Sequence, residues 1–187
     1  LSLAYQYSKE EVAVHRPAAT FPSAPANAMN PAAYRETAQA FREVGQRPDV
    51  RCVIFRTEGK GFIGGNDVSE ISGHNRSNHA AYQEIVGNGV CAIQDCAVPV
   101  IGVVQGYAIG VGLIMAIVCD LVVASERAWF NLPEVSLGIT AGTSFVMTAL
   151  PEKLVKYLCL TGNRLTAQEM LSYGAVNFVT PPEQLMD

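Results

Sequence analysis

The sequence predicts an α/β fold on two grounds. Runs rich in β-branched and aromatic residues alternate along the chain with segments of helical spacing, the pattern of a sheet covered by helices. The composition also fills an interior: of 187 residues, 49% are hydrophobic and 16% charged, unlike the apolar-poor, highly charged balance of a disordered chain. A chain of this length suits one domain with a substantial core, and a single domain over residues 1–187 is the expectation.

Taken in order, EVAV at 11–14 reads as a short strand and the Pro/Ala/Ser-rich stretch 17–25 as a flexible loop. Asn30 and Pro31 open a helix that runs to about Val44, because Asn can accept from the free first-turn N–H groups and Pro fits the first helical position. RCVIFRT at 51–57 is a buried strand, followed by a glycine loop at 58–65 and a helical turn at 67–71. The polar stretch 74–79 leads into a helix at 80–96, weakened by Gly87 and Gly89. A second buried strand at 99–104, a glycine loop at 106–112 and a buried helix at 113–118 come next. Then come a third strand at 120–124 and an extended segment at 129–135. Helices near 143–150 and 152–160 precede Thr166 and Glu169, whose spacing makes a capping box for a last helix ending near Tyr173.

Several function classes are excluded by composition and patterning. The net charge is -4 with no basic stripe, so nucleic-acid binding has no electrostatic support. The five cysteines, Cys52, Cys91, Cys96, Cys119 and Cys159, are odd in number and form no C-x-x-C pair. That argues against a disulfide framework or a metal site, and for a reducing, cytoplasmic setting. No basic start followed by an apolar run marks a signal peptide, and without an initiator Met the chain reads as trimmed. The uncharged stretch 98–119 is long enough to span a bilayer, but Pro99, Gln105 and four glycines suit strand, loop and buried helix better than a spanning helix.

Three features carry chemistry. Two glycine loops, at 64–66 and 110–112, allow a backbone to approach a ligand closely; each can equally be a tight turn. The second precedes a buried helix, whose N-terminus adds positive potential. Neither forms a G-x-G-x-x-G or G-x-x-x-x-G-K-[ST] nucleotide fingerprint. Glu134 lies in the apolar run LPEVSLG; held in an apolar pocket its pKa would rise toward neutrality and suit proton transfer, whereas at a solvent-facing turn it would do nothing. Asp67 and Asp120 read as structural, and Glu70, His74 and His79 as weak candidates on a polar segment. Cys119, in an apolar run, reads as buried and inert, and Ser144 has no G-x-S-x-G setting.

Four blocks in order resemble the crotonase superfamily, the enoyl-CoA hydratase/isomerase family. They are NAMN at 27–30, GFIGGND at 61–67, PVIGVVQGYAIGVG at 99–112 with Cys119 and Asp120 after it, and FNLPEVSLG at 130–138; LTGNRLT at 160–166 extends the match. The resemblance implies a crotonase-like spiral of repeated ββα units, coenzyme A thioester substrates with no separate cofactor or metal, and a homotrimer or homohexamer. It assigns the backbone N–H groups of Asn66 and Val111 as an oxyanion hole and Glu134 as the catalytic acid/base. It places coenzyme A and substrate along Asn27, Ala28, Met29, Ile63, Gly64, Gly65, Gly110, Gly112 and Ile114.

The sequence departs from the family at four points. Val111 replaces the usual glycine, and the 17–25 loop is longer than the family's turn. The helices that close the family's C-terminal end would lie beyond Asp187. Ile114 stands where family hydratases carry a first glutamate. Family hydratases use two glutamates to hold and activate the water, whereas family isomerases can work with one, so the resemblance favours an isomerase that moves the double bond of a 3-enoyl-CoA. The open alternatives are a hydratase or other acyl-CoA lyase or hydrolase, and an acyl-CoA-binding protein without turnover.

Overall fold

The structure is a computed structural model and describes residues 2–7, 10–12, 26–69, 77–140 and 142–187. Its nine strands in these segments form two sheets, built as the chain passes repeatedly from one to the other. An antiparallel pair, β1 (Ser2–Tyr7) and β2 (Glu10–Val12), edges the larger sheet. After α1 (Pro31–Gly45), β3 (Val53–Arg56) pairs with β1, and Ile63 then bridges to the smaller sheet. After α2 (His79–Gln94) the chain repeats the pass with β4 (Val100–Val104), β5 (Tyr107–Ile109) and α3 (Val111–Ile117). β6 (Leu121–Ser125) and β7 (Trp129–Asn131) make the next pass, ending in a 3-10 turn at Pro133–Leu137. α4 (Thr143–Val146), α5 (Glu152–Thr161), β8 (Arg164–Thr166), α6 (Ala167–Ser172) and β9 (Phe178–Thr180) complete the order.

Successive passes stack in parallel register. In the larger sheet Val53 pairs with Val100, Ile101 with Leu121 and Val123 with Phe178. In the smaller sheet Ile63 bridges Ala108, and Ala108 pairs with Phe130. This is the spiral of ββα passes expected from the sequence. Because strand residues alternate sides every second position, a single register determines where the residues after each strand emerge. Gly65 and Gly110 each lie two residues past a paired position, and Glu134 lies four past Phe130, so all three emerge at the same end of the smaller sheet.

Glycine is required where passes stack. A Cβ at Gly112 would sit 2.1 Å from the Ile63 carbonyl oxygen, and one at Gly106 would sit 2.1 Å from the Lys60 carbonyl oxygen. The interior joins both sheets to α1, α2 and α3, with Phe41, Phe55 and Phe62 meeting edge to face at 5.4 and 5.1 Å.

Most elements lie where the sequence puts them, and the caps form for the stated reasons. Asn30 Oδ1 accepts from Ala33 N at 2.9 Å, and Thr166 and Glu169 make the reciprocal box. The stretch 98–119 is strand, strand and short helix, and no helix among the described residues is long and apolar enough to cross a membrane.

The corrections are local. The glycine loop at 106–112 contains β5, since its Tyr-Ala-Ile centre pairs with β7, and α3 begins at Val111 rather than 113. Only Trp129–Asn131 is extended, because Pro133 opens a 3-10 turn closed by Gly138 at φ 67. The helix near 143–150 is a single short turn, Thr143–Val146. β1, β8 and β9 had no sequence signal beyond three to six residues of mixed polarity, and they exist through pairing. The 17–25 loop, Glu70 and His74 lie outside the described residues.

Candidate functional site

The two glycine loops and Glu134 converge. A Cβ placed on Gly110 would lie 2.7 Å from Glu134 Oε1 and 4.0 Å from the Gly65 Cα. Gly110 holds φ 56 and Gly65 φ 102, values that a side chain would strain. Glycine at 110 therefore serves two needs, the backbone turn into α3 and room for the carboxylate above it.

The local hydrogen bonds decide which N–H groups remain available. At the first loop Met29 N donates to the Gly65 carbonyl at 2.8 Å, and Asp67 N donates to the Met29 carbonyl at 2.9 Å. This parallel bridge pairs Met29 with Asn66 but uses the groups flanking Asn66. The N–H of Asn66 itself points to the other edge. At the second loop Gly110 N donates to the Asn131 carbonyl at 2.9 Å. Val111 is the first residue of α3, where backbone donors have no acceptor within the helix.

Glu134 is 8% exposed and is the only carboxylate in the buried set among the described residues. Its Oε2 is buried with no hydrogen-bond partner among them. Burial pushes its carboxyl above the ordinary value, and its own backbone N–H pulls weakly the other way. The burial and the net upward shift are those of a pocket carboxyl rather than of a surface glutamate, which answers the solvent-facing alternative the sequence left open. Cys159 on α5 has its thiol pushed up by partial burial and then by the Glu134 charge, so the two lie within electrostatic reach.

Ile114 lies on α3 one turn past Gly110, and its N–H donates to the Gly110 carbonyl at 3.2 Å. Ile114 is 5% exposed, and its Cδ1 would lie 2.9 Å from a Cβ at Gly142, just before α4. A branched alkyl group thus occupies the position at which the resemblance expects a water-holding carboxylate.

The remaining expected binding residues divide. Gly64 N donates to the Ala26 carbonyl at 2.9 Å, and Ile63 is buried in the smaller sheet, so 63–65 is a fixed backbone edge. Ala28 and Met29 lie beside it through the Met29 bridge, with Met29 fully inside. The Asn27 side chain is already engaged, its Nδ2 donating to the carbonyls of Glu58, Gly61 and Phe62 at 2.8, 3.1 and 3.0 Å. Asn27 thus shapes the 58–62 loop. Gly112 packs on Ile63 and gives no open surface.

Other candidates stay structural. Asp67 Oδ1 accepts from Ser69 N and Oγ at 2.9 and 2.6 Å, and Asp120 Oδ2 from Val100 N at 2.7 Å. Cys119 is buried, and burial pushes its thiol up, as an inert thiol requires. His79 and Ser144 are exposed at the starts of α2 and α4. No group of three or more His, Cys, Asp or Glu residues able to hold a metal occurs among the described residues. Sequence reasoning missed Tyr34 and Tyr82, whose hydroxyls both donate to Asn66 Oδ1, the latter at 3.1 Å. Nothing in their spacing pointed to it, since the contact spans 32 and 16 residues.

Comparison with known proteins bears on this geometry. Residues 14–187 match the family described as Enoyl-CoA hydratase/isomerase. The chain is 34% identical over 172 residues to the (7aS)-7a-methyl-1,5-dioxo-2,3,5,6,7,7a-hexahydro-1H-indene-carboxyl-CoA hydrolase of Rhodococcus jostii, covering 87% of this chain and 64% of that protein. It is also 34% identical over 181 residues to the short-chain-enoyl-CoA hydratase of Clostridium acetobutylicum, covering 94% and 67%. Its fold matches the crystal structure of a Mycobacterium smegmatis enoyl-CoA hydratase with a TM-score of 0.81 and 26% identity, covering 84% of this chain and 63% of that one. The chain thus spans somewhat under two thirds of the length of the Rhodococcus relative and of the mycobacterial structure.

Proposed function

Because the chain belongs to the enoyl-CoA hydratase/isomerase family of the crotonase superfamily, we propose that it moves the double bond of a 3-enoyl-coenzyme A thioester with one carboxylate. The thioester carbonyl would lie between the N–H groups of Asn66 and Val111. Glu134 would take a proton from C2, leaving a dienolate whose oxygen the two N–H groups stabilise, and return the proton at C4. Coenzyme A would run along 27–29 and the 63–65 edge as substrate, with no separate cofactor. A cytoplasmic homotrimer or homohexamer built on one core domain is part of the same reading.

One observation carries it: a buried carboxylate, one oxygen of which has no partner among the described residues, lies over Gly110, and position 114, one turn further along α3, is Ile rather than a second carboxylate. A single base adjoining two preorganised donors suits enolate formation, in which nothing but a proton moves.

A second reading has its own support. The Rhodococcus relative is named a hydrolase of a dioxo acyl-CoA and the Clostridium relative a hydratase. The same loops would serve a hydrolase or hydratase, since each of these reactions passes through an oxyanion at the thioester. Binding without turnover is the third possibility.

The test is to incubate the protein separately with a 3-enoyl-CoA and a 2-enoyl-CoA and follow the ultraviolet absorbance of the conjugated enoyl thioester. A rise with the first substrate, reduced about 10²- to 10⁴-fold in Glu134→Gln with acyl-CoA binding retained, is the expected result. A fall with the second and no rise with the first overturns the isomerase assignment in favour of hydration. No change with either, with binding seen by calorimetry, turns to hydrolysis of oxo-acyl thioesters or to a binding role.

A further inference from the structure

We infer that Tyr34 and Tyr82 are positioning residues that aim the backbone N–H of Asn66 by clamping its side chain. The inference rests on the oxyanion reading of Asn66 above and adds two residues that the reading does not use.

The clamp has two arms from different helices. Tyr34 on α1 and Tyr82 on α2 both donate their hydroxyls to the one acceptor Asn66 Oδ1. Both tyrosines are buried, at 0% and 5% exposure, so their hydroxyls need a protein partner and find it here. The Tyr34 ring packs directly on Gly89 of α2, where a Cβ would come within 2.7 Å of its Cδ1. The ring is thus seated by the packing of α1 on α2, and the hydroxyl arrives at Asn66 with its direction set. Burial, and then the neighbouring Tyr82, push the Tyr34 phenol well above its ordinary value, so it remains a donor throughout the working range.

The first loop needs such a hold. Asn66 is joined to the rest of the fold by a single backbone bridge, to Met29, and follows two glycines, the second at φ 102. Glycines loosen the backbone on either side, a single hydrogen bond from Met29 N to the Gly65 carbonyl at 2.8 Å holds the peptide plane that carries the Asn66 N–H, and an oxyanion donor works only when it is aimed at the developing charge. Two hydrogen bonds to the side chain of the donor residue itself add to that hold from the other side of the same residue. At the second loop the donor opens a helix and needs no such device.

A double-mutant cycle tests this. Tyr82→Phe, Tyr34→Phe and Asn66→Ala are made singly, and each phenylalanine variant is combined with Asn66→Ala. Phenylalanine keeps the ring and removes the hydroxyl alone. kcat and KM are measured on the acyl-CoA that the wild type turns over, and the near-ultraviolet enolate band of bound acetoacetyl-CoA reports carbonyl polarisation without turnover. The expected result is about a tenfold fall in kcat for Tyr82→Phe, a weakened enolate band, KM within about twofold, and no further loss on adding Tyr82→Phe to Asn66→Ala. Tyr34→Phe behaves alike; should it not fold, Tyr82→Phe carries the test. Equal losses in both backgrounds, a change in KM or thermal stability alone, or no change overturns the inference. A wild type that neither binds acetoacetyl-CoA nor turns over any enoyl-CoA removes the oxyanion reading and the inference with it, whereas an active wild type with an additive cycle removes only the inference.

Discussion

The loop at Gly65 and the loop at Gly110 meet beside the same carboxylate, yet the fold holds them by different means. The second is built into the stacking of passes: Gly112 lies against the Ile63 carbonyl, Gly110 N binds the Asn131 carbonyl, and α3 begins at once. The first is held by backbone bonds to Ala26 and Met29, both outside the sheets, and by side chains, with Asn27 pinning the loop before it and Tyr34 and Tyr82 pinning Asn66. A backbone group placed by main-chain stacking can be lost only with the fold. A donor placed by side chains can be tuned by single substitutions, and this is the loop at which variants should alter rate without unfolding the protein.

Gly112→Ala tests the rigid half of that contrast most severely. Its Cβ would meet a buried carbonyl at 2.1 Å, so loss of cooperative unfolding or of soluble protein is expected, read by circular dichroism. Gly64→Ala meets the Ala26 carbonyl at 2.6 Å, in a segment outside the sheets, and should lower stability by only about 1–3 kcal/mol in denaturant unfolding. Equal damage from the two would erase the distinction.

Ile114→Glu sharpens the contrast at the second loop, where α3 follows Gly110 at once. It inserts a carboxylate at a buried apolar position one turn past Gly110, and should lower stability by about 1–3 kcal/mol. If the pocket admits water, measurable 2-enoyl-CoA hydration appears; if activity on a 3-enoyl-CoA is unaffected and no hydration arises, Ile114 does not decide the reaction.

The smallest effect concerns pH. Burial raises the Glu134 carboxyl above its value in the unfolded chain, so between those two values the folded protein binds more protons. Stability therefore falls as pH rises through that window, and the deficit is complete above the folded value. Glu134→Gln should unfold at a higher temperature than wild type near neutral pH, and the gap should close below about pH 4, where both states are protonated. A gap independent of pH would place the carboxylate in solvent.

Much of this protein was legible in its sequence where the cause is local. Asn30 with Pro31, and Thr166 with Glu169, announced helix starts because capping needs only residues three apart. The β-rich runs at 51–57, 99–104 and 120–124 announced strands, which form at 53–56, 100–104 and 121–125. The ordered motif blocks pointed to the family and to Glu134. The features left open by the sequence depended on partners far along the chain. β1, β5, β8 and β9 are strands because neighbours pair with them, not because their few residues prefer it. Whether Glu134 faced solvent or a pocket, which backbone donors stayed unpaired and which hydroxyls met at Asn66 were decided by the register of the spiral. Register brings residues 65, 110 and 134 to one end of one sheet, and only the packed tertiary structure can set it, because no local propensity carries information across such separations.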